Sequence, residues 1–222
     1  MDFDTTSKKG GHEQILNRFR RGEADILLGT QMVTKGLDFP EVTLVGVLAA
    51  DASLNVDDFR AGERCFSLIT QVCGRAGRGD LEGRAVIQTY QPENAIIQFA
   101  KNQNYADFYQ SEIIYRKRMD YPPFCDMVYL LVSGEDESLV KQEIDNISQF
   151  IKSNDTTACI RTFLGPAPAP IAKIKNKYRY RLLIKANPVK NLFPLLHQIS
   201  LSYNDSKTKN MLVIDINPVN MV

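Results

Sequence analysis

Apolar positions recur along this chain in alternating helical and strand-like stretches, and the pattern changes once, at a pair of prolines. His12 to Arg21 places Ile15, Leu16 and Phe19 on one face, which predicts an amphipathic helix. Ile26-Leu27-Leu28-Gly29 is a short apolar run that predicts a buried strand. Val42 to Ala50 is a second, continuous run and predicts a parallel strand covered on both faces. Phe59, Phe66, Ile69 and Cys73 mark a helix over Phe59–Cys73, and Ala85–Thr89 a third strand. Strands alternating with helices imply βαβ units and a mostly parallel sheet, an α/β domain.

Two further helical pieces, Ala95–Ala100 and Tyr105–Arg118, end at Tyr121-Pro122-Pro123, because proline stops a helix and disfavours helical geometry in the residue before it. A domain boundary is expected there, dividing the chain into 1–121 and 122–222. Beyond it the pattern predicts strand Asp126–Val132, helix Glu137–Ile151, strands Cys159–Phe163 and Tyr178–Lys185, helix Lys190–Ser202 and strand Met211–Ile216. That order, βαββαβ, is the ferredoxin-like split motif, a smaller α+β domain with two helices on one face of an antiparallel sheet. Its middle connection, Gly165-Pro166-Ala167-Pro168-Ala169-Pro170, is expected to be a rigid, extended link.

Composition narrows the setting. With 44% hydrophobic and 24% charged residues the chain is neither disordered nor extreme in charge. No apolar run reaches the roughly 18 residues of a membrane helix, and no signal-peptide pattern is present, so a cytoplasmic protein without membrane contact is expected. Cys65, Cys73, Cys125 and Cys159 form no CxxC pair, and His12 and His197 stand far apart. Reduced thiols, with no zinc ligands in this chain, follow. The net charge of +1 conceals an asymmetry. No acidic residue lies between Asp155 and Asp205, where Arg161, Lys173, Lys175, Lys177, Arg179, Arg181, Lys185 and Lys190 contribute +8, so the remainder carries −7.

Two segments carry candidate chemistry. Gln71-Val72-Cys73-Gly74-Arg75-Ala76-Gly77-Arg78 offers two arginine forks suited to phosphate oxygens, each preceded by glycine. A basic, glycine-containing helix end is the structural alternative. Upstream, the loop from Gly29 to Pro40 follows the first predicted strand, the position where α/β sheets bind ligands. Thr30, Gly36 and Asp38 can hydrogen-bond a phosphate and a ribose, although an ordinary strand–helix turn would read the same.

In that order, Thr30, Gly36 and Asp38 (TxxxxxGxD) followed by Gln71 to Arg78 (QxxGRxGR) resemble motifs V and VI of superfamily 2 helicases, which belong to the second RecA-like motor lobe. Asp4-Thr5-Thr6, GTQMVTKGLDFP, the stretch from Ala50-Asp51 to Phe59-Arg60, QVCGRAGR, LGPAPAP and KIKNKYRYRLLIK are similar to the primosomal protein N′ (PriA) family of replication-restart helicases, over essentially the whole chain. The resemblance implies ATP-dependent 3′-to-5′ unwinding at stalled forks. Arg78 would be an arginine finger on the ATP γ-phosphate, with Arg75 and Gln71 as companions. Gly36 and Asp38 would face the nucleotide, and Thr30 the DNA backbone. Implied partners are branched and single-stranded DNA, single-stranded DNA-binding protein, primosome components and the replicative helicase. The GxxxxGK[ST] loop and the Asp-Glu strand end of the family's first lobe, which brings ATP and magnesium, are absent from the sequence, as is its paired-cysteine zinc module. The chain is therefore expected to be a C-terminal fragment, unable to hydrolyse ATP alone. The competing readings are a non-catalytic DNA- and protein-binding module, or the motor lobe of a branch-migration translocase.

Finally, Lys173, Lys175, Lys177, Arg179 and Arg181 alternate. On one extended strand all five would share a face, with Ile174, Tyr178, Tyr180 and Leu182 on the other. A row of like charges suggests a DNA contact, and a solvated strand that resists edge aggregation is the alternative. The tyrosines are expected to be core, the aromatics of 105–118 to pack between domains, and Cys65 and Cys73 to be packing residues.

Overall fold

The computed structural model describes residues 11–30, 39, 41–74, 82–206 and 208–221. Contacts divide the chain into two units, Met1–Val56 with Arg60–Tyr109, and Asp57–Phe59 with Gln110–Val222.

In the first unit, helix α1 (Gly11–Arg20) precedes strand β1 (Leu44–Val47), a 3-10 turn at Ala50–Ser53, helix α2 (Ala61–Cys73), strand β2 (Arg84–Ile87) and helix α3 (Ala95–Lys101). Strands β1 and β2 pair in parallel, Leu44 opposite Arg84 through Val47 opposite Ile87, as the βαβ pattern predicts. Cys65, Phe66 and Ile69 of α2 pack with Ile97 and Ala100 of α3. Phe108 stacks on Phe66 at 4.2 Å, so this aromatic of helix α4 (Tyr105–Arg118) serves the unit's own core. Two expectations fail. Ile26-Leu27-Leu28-Gly29 is not a strand, and Ile26 is 83% exposed. An apolar run of four becomes a strand only where a neighbour supplies a ladder, and this sheet's described strands are β1 and β2 alone. Nor is β1 covered on both faces: Val47 packs against the α2–α3 core, whereas Leu44 is exposed.

The second unit contains β3 (Asp126–Gly134), α5 (Glu137–Asn154), β4 (Ile160–Ile174), β5 (Lys177–Ala186), a 3-10 turn (Val189–Leu192), α6 (Phe193–Asn204) and β6 (Met211–Ile216). All its strand pairs are antiparallel in the order β4-β5-β3-β6, which puts the first and third strands at the centre, as the split motif requires. The Asp136 side chain caps α5 by accepting from the Ser138 and Leu139 amides. Val140, Ile144, Ile147 and Ile151 then bury one helix face against Val128, Leu130, Val132, Leu182 and Ile184. α6 starts at Phe193 rather than Lys190, because an earlier start would put Pro194 in the helix interior; the chain makes a 3-10 turn first.

Residues 159–174 depart furthest from expectation. The proline-rich link is part of β4, a fifteen-residue edge strand whose register against β5 slips three times. Edge position tolerates the missing proline N–H groups. At Gly165 (φ +101°) a Cβ would lie 2.8 Å from the Arg181 carbonyl oxygen, so glycine admits the close approach of β5.

The sheet's other face is also covered. Met127, Tyr129 and Leu131 of β3 pack there with Leu183, Ala169, Cys125, Met221 and Phe59. Phe59 lies outside α2, which begins at Ala61, and stacks on Tyr121 at 4.9 Å with the Arg116 guanidinium 5.1 Å from its ring centre.

Candidate nucleic-acid interface

The turn between β4 and β5 rearranges the alternating basic residues. Lys175 and Asn176 both have positive φ, 48° and 63°, the geometry of a two-residue hairpin turn. Lys173 pairs with Tyr178 and Ile174 with Lys177. Cross-strand partners share a face, so the turn reverses parity: Lys177, Arg179 and Arg181 stay together, Lys173 lies on the opposite face and Lys175 is at the tip. The single-strand expectation for all five is thereby corrected, and Ile174 belongs with Lys177 rather than with the tyrosines. Lys173 holds its ammonium 4.1 Å from the Tyr178 ring centre. Tyr180 packs at the margin of the helix-side core and donates to Glu137 Oε1 at 2.9 Å. That agrees with a packing role.

The basic residues differ in availability. Lys173, Lys175 and Lys177 are exposed. Arg179 donates to the Ile171 carbonyl at 3.1 Å. Arg181 is ion-paired with Asp57, and its side chain is only 18% exposed. Arg161 pairs with Asp120 at 2.6 Å. Lys185 is buried, donates to the Met119 carbonyl at 2.6 Å and lies 3.6 Å from the Tyr121 ring centre. Burial pushes its pKa down from the ordinary lysine value, partly offset by Cys125 and Asp120. Of the eight cations, Lys173, Lys175 and Lys177 stand exposed together at the hairpin, and Lys190 is exposed after β5.

Of the motif candidates, Thr30, expected on the DNA backbone, is exposed at the end of the segment after α1, and Gln71, expected on the nucleotide, is exposed in the last turn of α2. Gly36, Asp38, Arg75 and Arg78 lie outside the described residues. Between these segments stands a group that motif reading did not weigh. Asp51, buried after β1, accepts from the Thr89 hydroxyl at 2.5 Å and the Tyr90 amide at 2.8 Å. These bonds, the hydroxyl first, hold its carboxyl below the usual aspartate value. They tie the β1 exit to the β2 exit. Cys65 and Cys73 have thiols pushed up by burial, consistent with packing.

The Asp57–Arg181 pair and the buried Tyr129 and Lys185 were also missed. A sign of the covered second face, on which Tyr129 is buried, was present: Met127 to Val132 is apolar at every position, which a sheet with one solvated face does not need. Among the described residues no cluster of three His, Cys, Asp or Glu side chains could hold a metal ion. No described helix is long and apolar enough to cross a membrane.

Residues 2–80 match the helicase conserved C-terminal domain, and residues 117–219 the primosomal protein N C-terminal domain. The replication restart protein PriA of Bacillus subtilis (strain 168) is 45% identical over 224 residues, covering 100% of this chain. The chain belongs to the PriA family. PriA of a Synechocystis strain is 44% identical over 88% of the chain, and PriA of Rickettsia typhi 40% identical over 92%. The chain spans 28%, 23% and 31% of these three PriA relatives. The α/β unit followed by an antiparallel α+β unit agrees with a helicase C-terminal lobe joined to a PriA C-terminal domain.

Proposed function

We propose that this chain supplies the second motor lobe, 1–121, and the DNA-binding C-terminal domain, 122–222, of a cytoplasmic ATP-dependent 3′-to-5′ replication-restart helicase. The observation that carries the DNA-binding half is the β4–β5 hairpin, whose exposed Lys173, Lys175 and Lys177 lie in a stretch without one acidic residue. Such a tip neutralises backbone phosphates of branched or single-stranded DNA without reading bases. The motor half rests on the motif order and on the helicase-domain match. Arg78 acts as the arginine finger, Arg75 and Gln71 contact the nucleotide, and Gly36 and Asp38 approach it from the preceding loop. Thr30 contacts the DNA backbone. ATP and magnesium are held by the first lobe, and this chain alone does not turn over ATP. Single-stranded DNA-binding protein, primosome components and the replicative helicase are its proposed partners.

The test is Arg78→Ala in the full-length protein. An arginine finger is worth roughly 10³–10⁵ in phosphoryl-transfer rate, so DNA-stimulated ATP hydrolysis should vanish while DNA affinity stays within about twofold. Undiminished turnover would refute the motor assignment. Loss of turnover and DNA binding together would assign Arg78 to DNA instead.

A further inference from the structure

The Asp57–Arg181 pair sits beside a buried hydroxyl that lacks a partner. Arg181 of β5 is opposite Leu131 of β3, and Arg179 is opposite Ser133. Tyr129, opposite Leu183, is the diagonal neighbour of Arg181 on the same face, within reach of a long side chain. Tyr129 is 6% exposed, and its hydroxyl oxygen has no hydrogen-bond partner among the described residues. A desolvated hydroxyl left unpaired costs free energy with no return. Burial raises its pKa first of all, Arg181 and then Arg179 pull it down, and Asp57 pushes it up. Arg181 and Arg179 thus share this hydroxyl's sheet face, and Asp57 joins them through its pair with Arg181.

The carboxylate meets only part of what that environment offers. It pairs with Arg181 and leaves Tyr129 unpaired. The Asp57 side chain is 66% exposed although its partner is 18% exposed, so the anion lies on the solvent side of a largely buried cation. An incoming anion can take its place on Arg181 from the solvent side. A phosphodiester has two unesterified oxygens, one for the guanidinium fork and one to accept the tyrosine O–H.

We propose that Arg181, Arg179 and the Tyr129 hydroxyl form a seat for one backbone phosphate of DNA, and that the Asp57 carboxylate occupies it as an internal competitor. The inference rests on the DNA-binding reading above and adds a site and a gate to it. Asp57 lowers affinity for weakly placed DNA, because a phosphate must displace it before Arg181 contributes.

Fluorescence anisotropy with labelled forked DNA, titrated with the 222-residue chain at several salt concentrations, tests the seat. Asp57→Asn should bind about 3–10-fold more tightly at low salt, and its slope of log affinity against log salt should steepen by about 0.7–0.9, one phosphate contact. Asp205→Asn, an equal charge change at the end of α6, should do neither. Tyr129→Phe should bind about 3–10-fold more weakly while its unfolding midpoint stays level or rises, since the lost hydroxyl was unpaired. Wild-type affinity in Tyr129→Phe overturns the seat, as does an unchanged slope in Asp57→Asn. Lys175→Glu/Lys177→Glu separates the two levels: if it weakens binding while the seat variants do not, the seat fails and the hairpin stands. If it binds like wild type, the DNA-binding reading itself falls.

Discussion

Phe59 provides the sharpest test of how the second unit is held together, because the segments on either side of Asp57–Phe59 belong to the first. The residue is 8% exposed, stacked on Tyr121 with ring planes 12° apart and approached by the Arg116 guanidinium. Burying a phenylalanine side chain is worth roughly 1.5–3 kcal/mol. A stacked pair adds about 0.5–1.5 kcal/mol, and a partly shielded cation over the ring about 0.5–1 kcal/mol. Phe59→Ala should therefore destabilise the second unit by about 3–5 kcal/mol, the range of core phenylalanine truncations. Phe59→Leu keeps most of the apolar burial and loses the ring terms, so its cost should be about 1–2 kcal/mol. The chain has no tryptophan, so hydrogen exchange read by mass spectrometry is the better assay. Protection should fall in Asp126–Gly134 and Lys177–Ala186 and remain in Ala61–Cys73. If protection is lost from Ala61–Cys73 instead, Phe59 acts as the first turn of α2 and the reasoning is wrong.

Two other substitutions probe separate features. Gly165→Ala places a side chain at φ +101° and 2.8 Å from the Arg181 carbonyl, so it should cost about 1–3 kcal/mol in urea unfolding; an unchanged midpoint would mean that the close approach is not real. Asp51 contributes stability that is fully present above its unfolded value of 3.8 and is lost as pH falls through its lower folded value. Asp51→Asn should therefore lower the first unit's stability at neutral pH and flatten its acid limb below about pH 4, followed by circular dichroism; a parallel acid profile would show that the Thr89 and Tyr90 bonds do not depend on charge.

The elements legible in the sequence were those with one dominant period. Val140, Ile144, Ile147 and Ile151 repeat on a single stripe, and α5 forms around them. Met211–Ile216 is a strand at the predicted bounds. Ile26-Leu27-Leu28-Gly29 failed because a strand is a property of pairs, and four residues do not name their partner. The alternation from Lys173 to Arg181 failed for a sharper reason. Two residues with positive φ leave the period intact in the text and reverse it in space, and only Asn176 hinted at them. At the interface, residue type identified cations but not their counter-ions. Asp57 is 124 positions from Arg181, and no local pattern spans that distance. The apolar run in β3 was the one overlooked sign that a second layer covered the sheet.

The proline-rich β4 has a consequence for assembly. Pro166, Pro168 and Pro170 remove donors from one border of the four-stranded sheet, whereas β6, at the other border, contains none of these imino acids. Extension by strand addition needs two competent borders per molecule. With one border disabled, the sheet has a valence of one: two copies could join through β6 into a closed pair, but a third would find nothing to attach to. The edge that looks most irregular is thus the one that denies the sheet a second border for strand addition.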